Sequence, residues 1–325
     1  MVEKRQIKVA PSYQRKFRWD EKRSSLLIES IMLGIPIPSL FMATNADSTW
    51  EVVDGVQRLS TLVKFAGDDN LRHLLGLGEP LTLEGLQKLT SFDKLSFSRF
   101  PPNLHLHFLT RPVKVITLND KSDKVVRYDL FERLNTGGVA LSPQEIRDCV
   151  FQGTFADKLE SWSKDRSFRT TVRLTMLQQR DATGEECVLR FFAFLHKYKE
   201  FKHDVGKFLS GYMEEATRDF NYEHGNWIFS RTFQQLALAF PSGIRRPDRP
   251  STTPLNLFEG VAVGAALALL RRDKLNTVGI DRWMKSPELR KVTTGATNSQ
   301  SAVAGRIEFC RDRFLGKPYV PRTKD

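Results

Sequence analysis

Apolar residues recur at helical spacing throughout the second half of the chain, whereas short β-prone runs are confined to the first. Amphipathic stretches at 155–163, 185–198, 205–220, 227–240, 255–271, 279–284 and 299–314 predict a mainly helical second half. The most apolar window, 255–270, contains Glu259 and two glycines and ends at Arg271-Arg272, so it predicts a buried helix. No run reaches the roughly 18 apolar residues of a membrane span. In the first half, Asp20 is a natural N-cap for a helix to about Leu33, stopped by Gly34 and Pro36. The β-prone runs 37–43 and 49–53 flank Asn45-Ala46-Asp47 and predict a hairpin, and 113–118 predicts a further strand. Between them, 68–70 reads as a loop, 83–89 as a short helix opened by Thr82, and Pro101-Pro102 as the start of a helix reaching His107.

A second patterned stretch runs from Val125 to Asp148. Val126, Leu130, Phe131 and Leu134 lie on one helical stripe, closed by Asn135-Thr136-Gly137-Gly138, and Ser142-Pro143-Gln144-Glu145 is a capping box that opens a new helix. Arg133, Asn135 and Arg147 have no structural task in that pattern and are read as lining a shared pocket. The segment 241–254 holds four prolines and three arginines and predicts an exposed loop.

The net charge of +12 is uneven: residues 151–325 carry 29 Lys and Arg against 20 Asp and Glu, and residues 1–150 carry 21 against 18. A polyanion held by the second half is compatible with this, and so is a solvated helical surface. Cys149, Cys187 and Cys310 are widely spaced, which suggests neither a disulfide framework nor a zinc site. His105 and His107 lack a third ligand and are read as incidental. The opening residues lack the apolar core of a signal peptide, so cytoplasmic residence is expected.

The chemistry centres on Trp50 to Phe65, which reads strand, turn, helix around Asp54-Gly55-Val56-Gln57-Arg58. A helix start after a glycine offers backbone N–H groups to an anion, and an arginine one turn in can grip phosphate with two parallel hydrogen bonds. Asp54 adds a carboxylate for metal or water, and Gln57 a neutral amide. The competing reading is a structural turn in which Asp54 caps the helix and pairs with Arg58. Upstream, Tyr13, Phe17 and Trp19 lie among basic residues and fit either base stacking or anchoring of the N-terminal arm. No G-x-x-x-x-G-K-[ST] loop, G-x-G-x-x-G turn, G-x-S-x-G elbow or H-E-x-x-H motif occurs.

These motifs together resemble the N-terminal domain family of the GmrSD type IV restriction enzymes, a branch of the ParB/sulfiredoxin-like fold. The matching segments, in family order, are Y-Q-R-K-F-R-W, S-I-M-L-G-I-P-I-P, V-V-D-G-V-Q-R-L-S-T-L and F-E-R-L-N-T-G-G-V-A-L-S-P-Q-E-I-R, with weaker matches at E-E-C-V-L-R-F-F and T-N-S-Q-S-A-V-A-G-R-I. The resemblance implies an α+β architecture: a small ParB/sulfiredoxin-like mixed α/β domain over 1–152, followed by a mainly α-helical domain over 153–325. It also implies nucleoside triphosphate binding and hydrolysis with a divalent metal such as magnesium. Asp54 would orient metal or water, Gln57 would position a group, and Arg58 would stabilise phosphate charge. Gly55 and the following amides would hold phosphate, with Gln14, Arg15, Arg133 and Asn135 lining the same cleft. Val56 departs from the family's usual Asp-Gly-Gln-Gln-Arg, which puts hydrolysis rather than binding in question. Many relatives carry an HNH-type nuclease, and the six histidines here form no such motif. The expectation is therefore a stand-alone nucleotide-sensing component of a DNA-directed defence system, with DNA and a separate nuclease subunit as partners. The alternative is a non-catalytic DNA-binding or protein-interaction module.

Overall fold

The computed structural model describes residues 6–8, 19–44, 47–118, 141–246, 248, 250–295 and 297–318. Gln14, Arg15, Arg133 and Asn135, with the helix expected over 125–134, lie outside the described residues. The protein is a mixed α/β molecule, mostly helical with one small sheet. It divides into two compact units, 1–140 and 141–325.

In the first unit, β1 (Ile7–Lys8), β2 (Leu40–Thr44), β3 (Trp50–Asp54) and β4 (Val115–Leu118) form a sheet of order β1-β3-β2-β4. β2 and β3 are antiparallel, as expected of the hairpin, while β1 on β3 and β4 on β2 are parallel. Register shifts between Phe41 and Met42, which pair with Asp54 and Val52. The irregularity therefore falls immediately before Asp54, where a bulge re-aims the strand end.

Helix α1 (Glu21–Met32) starts at Asp20, whose Oδ1 accepts from the Arg23 N–H at 2.7 Å. Helix α2 (Val56–Ala66) follows β3 after Gly55 alone and buries Leu59 against the sheet. Its far end carries Phe65, whose ring meets Phe97, Phe100 and Phe108 edge-on at centroid distances of 5.3, 5.6 and 5.2 Å. Burying Phe65, Phe100 and Phe108 contributes about 1.5–3 kcal/mol each.

The loop expected at 68–70 is instead the start of α3 (Asp69–Leu74): Asp68 Oδ1 accepts from Leu71 N–H and caps it. The helix expected over 83–89 does not form. The Glu29 carboxylate on α1 accepts the N–H groups of Gln87, Lys88 and Leu89 at 2.9, 2.6 and 2.8 Å, so these donors serve a distant side chain rather than a helical turn. Leu83 and Leu86 are buried as anchors of this segment. Helix α4 (Pro102–Leu109) forms as expected, and its histidines are structural: His105 stacks on Phe97, and His107 Nε2 lies 3.0 Å from the Met32 carbonyl.

The second unit contains α5 (Pro143–Val150), α6 (Thr154–Ser163), α7 (Arg166–Thr171), α8 (Met176–Arg180), α9 (Thr183–Lys197), α10 (Val205–Arg218) and α11 (Tyr222–Ala239). It continues with α12 (Leu255–Leu269), α13 (Ile280–Trp283), α14 (Pro287–Thr293) and α15 (Gln300–Phe314). Both halves of the Ser142 and Glu145 capping box are present on α5. The short helices α7, α8 and α14 fall outside the amphipathic stretches read from the sequence, yet each has a side-chain cap, from Asp165, Thr175 and Ser286.

Helix α12 lies against α15 at a glycine seam. A Cβ on Gly264 would come within 2.7 Å of Arg311 N, and one on Gly260 within 3.1 Å of the Arg306 carbonyl oxygen. Glu259 is seated in this apolar helix by a buried charge chain. Arg190 Nη1 donates to Glu259 at 2.6 Å, and Arg306 Nη2 donates to its other oxygen. Glu186 in turn accepts from Arg190 at 2.7 Å and from Arg147 at 3.2 Å.

The loop expected to be exposed at 241–254 is pinned to the fold at both ends. Ile244 is buried with its N–H on the Thr171 carbonyl at 2.8 Å, and Thr253 N–H reaches the Arg173 carbonyl at 2.9 Å. Among the described residues no helix is long and apolar enough to cross a membrane.

Candidate functional site

The corner between β3 and α2 is shaped by Gly55, which stands at the N-cap position in the left-handed conformation, φ 96° and ψ 17°. A side chain there is excluded twice over. Its Cβ would lie 2.3 Å from Leu40 Cδ2 and 3.2 Å from both Nε and Nη2 of Arg58. Glycine thus lets the Arg58 guanidinium rest against the backbone of the turn.

No side chain caps α2. Asp54 therefore does not cap the helix, contrary to that half of the structural reading. Its Oδ2 instead accepts from Arg58 Nη2 at 2.6 Å. The Arg58 side chain is 10% exposed and that of Asp54 35%, so the pair has a buried cation and a carboxylate open to solvent. Among the described residues Asp54 is the one polar partner of this guanidinium, which leaves Nε and Nη1 uncommitted.

Gln57 is turned the other way: its Oε1 accepts the backbone N–H of Trp19 at 3.3 Å and ties the entry of α1 to the first turn of α2. Arg23 lies over the Trp19 ring at 4.8 Å. Val56 is half-buried against the small apolar cluster of Ile7, Leu40, Met42, Val52 and Leu59, so the residue that departs from the family pattern is a packing residue here. The bond from Trp19 to Gln57 has no local signal, because its partners lie 38 positions apart.

The structure thus brings Asp54, Gly55 and Arg58 together at one corner and sets Gln57 beside it. Arg147, expected to face a pocket, does not: it is 2% exposed, with Nη1 on Gln144 Oε1 at 2.9 Å and on Glu186, and Nε on Ser210 Oγ at 3.3 Å. Its acidic partner lies on α9, and no local pattern announces it.

Among the described residues no group of three His, Cys, Asp or Glu side chains converges to hold a metal. Among the described residues a divalent ion at this corner would have Asp54 as its one protein carboxylate, with phosphate oxygens and water for the rest. Magnesium is commonly held in that way beside nucleotides.

Neither the curated proteins nor the solved structures compared with the chain give a match. Residues 1–152 match the family model described as GmrSD restriction endonuclease, N-terminal domain. The region that carries the Asp54 to Arg58 corner is therefore a member of the GmrSD N-terminal domain family, and that membership associates the protein with restriction.

Proposed function

We propose that the protein binds a nucleoside triphosphate with magnesium at the Asp54 to Arg58 corner and serves a DNA-directed restriction system as its nucleotide-responsive component. The observation that carries this reading is the half-committed Arg58 guanidinium resting on Gly55 at the uncapped start of α2. A phosphate entering there meets Nε and Nη1 of Arg58 and the first-turn N–H groups, which have no intrahelical partner. As Arg58 turns to phosphate, Asp54 is released from its ion pair to take magnesium or to orient water. Gln57 acts as a positioning residue through Trp19. The nucleotide reading gives Gln14, Arg15, Arg133 and Asn135 the remaining walls of the cleft, within a ParB/sulfiredoxin-like fold. Cleavage of DNA is assigned to a separate nuclease subunit.

The test is thermal denaturation with each triphosphate and magnesium, followed by measurement of released phosphate with and without DNA. A ligand at 100 times its Kd stabilises the fold by about 2.7 kcal/mol. The shift should vanish in Arg58→Ala, and in Asp54→Asn it should lose its dependence on magnesium. Hydrolysis that appears only in Val56→Gln would make the wild-type corner a binding site without turnover. No stabilisation by any triphosphate overturns the reading.

A further inference from the structure

The second unit contains a cavity of about 330 Å³, half of whose lining residues are Lys or Arg. Lys197 contributes from the end of α9, Lys199 from just beyond it, Arg271 from just beyond α12 and Arg311 from α15, against one acid, Glu200. Two of these charges are already answered: Lys197 pairs with Glu215, and Arg311 Nε donates to Asp312 at 2.8 Å. Lys199 and Arg271 are exposed, and among the described residues neither has an acidic partner.

Cations at helix C-termini commonly answer the carbonyl end of the helix dipole. That explanation is weak for Arg271, because the last turn of α12 is already closed by backbone bonds. Leu270 N–H reaches the Ala266 carbonyl at 3.0 Å, and the N–H groups of Arg271 and Arg272 reach that of Ala268 at 3.0 and 3.1 Å.

The rim is held in place by bonds that leave the Lys199 and Arg271 side chains unused. Gln300 Nε2 donates to the Lys199 carbonyl at 2.8 Å, and Arg272 Nη1 donates to the Leu315 carbonyl at 3.2 Å, joining the ends of α12 and α15. Exposed Arg272, Lys274 and Lys317 extend the positive surface along those ends, and the acid between the first two, Asp273, is answered by Arg231 at 2.6 Å. Two rings line the cavity: Tyr198 is buried with its hydroxyl on Glu308 at 3.2 Å, and His196 is held by its Nδ1 against Tyr212 Oη at 2.7 Å. A positive track longer than one phosphate suits a polyanion rather than a free nucleotide.

We propose that this cavity anchors the phosphate backbone of a DNA strand, with one phosphodiester group between Lys199 and Arg271 and the strand passing over Arg272 toward Lys317. The site is built from second-unit residues alone and does not rest on the nucleotide reading of the Asp54 corner. The test is fluorescence anisotropy of a labelled oligonucleotide against the full chain over a range of salt concentrations, in the absence of nucleotide. Lys199→Glu with Arg271→Glu should weaken binding at least about tenfold and reduce the salt slope by about 1. Lys285→Glu with Lys291→Glu changes net charge equally at exposed positions around α14 and should leave binding near wild type. Lys199→Ala with Arg271→Ala reads the same contacts should the reversed pair fail to fold. Equal losses in the two reversed pairs, or unchanged binding in the Lys199 and Arg271 variants, overturn the proposal. It is likewise overturned if those variants weaken binding of inorganic phosphate or a free triphosphate while DNA binding stays intact.

Discussion

Arg190 on α9 donates from Nη1 to the Glu259 carboxylate at 2.6 Å, in the middle of the most apolar helix of the protein. Glu259 is 1% exposed and also takes the Arg306 guanidinium, so one carboxylate answers two guanidinium groups, of which Arg190 also holds Glu186. Glu259→Ala should cost about 3–5 kcal/mol, since breaking a buried pair from one side strands the partner charge. Glu259→Leu combined with Arg306→Met should cost less than the single alanine change. Guanidinium titrations of the wild type and the two variants compare these directly, and a double variant no more stable than Glu259→Ala would contradict the stranded-charge account.

Glu29 gives the first unit an acid-sensitive tie. Burial alone would raise its pKa, but the N–H groups of Leu89, Lys88 and Gln87, with the Lys88 charge, outweigh it and hold the pKa below its ordinary value of 4.5. A depressed folded-state value means the stabilisation is present above the unfolded pKa and is lost as pH falls through the folded one. Stability should therefore decline as pH drops below about 4.5. Glu29→Gln should be less stable at neutral pH by about 1.5–3 kcal/mol, through loss of charge-assisted bonds, with a flatter acid limb. Urea midpoints from pH 3 to 7 for the two proteins provide the comparison.

At Gly55, alanine would combine left-handed strain with the 2.3 Å approach to Leu40 and would push at the Arg58 guanidinium. Gly55→Ala should lose at least about 1–3 kcal/mol of stability. Calorimetric melting settles it, and an unchanged midpoint would mean that the turn relaxes away from its left-handed form.

Cys187 and Cys310 are fully enclosed, and burial pushes both thiols well above their ordinary range. Neither should react with a thiol-labelling reagent at pH 8 in the folded protein, and each should label fully in denaturant. Peptide mapping after a timed pulse of reagent reads the two sites separately.

Local signals were the legible part of the sequence. Asp20 and Ser142 announce helix starts through caps closed within a single turn, and the 3.6-residue period marks α9 to α12 and α15 because each buries one side in a common core. Where a distant side chain takes over the backbone, the pattern misleads. Leu83 to Leu89 has the look of a short helix, but its amides belong to Glu29. At the candidate site, the nearness of Asp54 to Arg58 follows from four-residue spacing at a helix entrance. The bond from Trp19 to Gln57 and the burial of Arg147 against Glu186 do not, because those partners are separated by 38 and 39 positions.

The glycine seam between α12 and α15 bears on how this protein survives damage. With side chains missing at Gly260 and Gly264, the two backbones touch, and the last helix acts as a lid over a segment that is oily on nearly every side. Proteolytic removal of α15 would leave not a trimmed but working unit but a sticky, aggregation-prone remnant. Quality-control machinery would meet such a fragment as misfolded, so a nick ahead of Gln300 should deplete the protein from the soluble fraction.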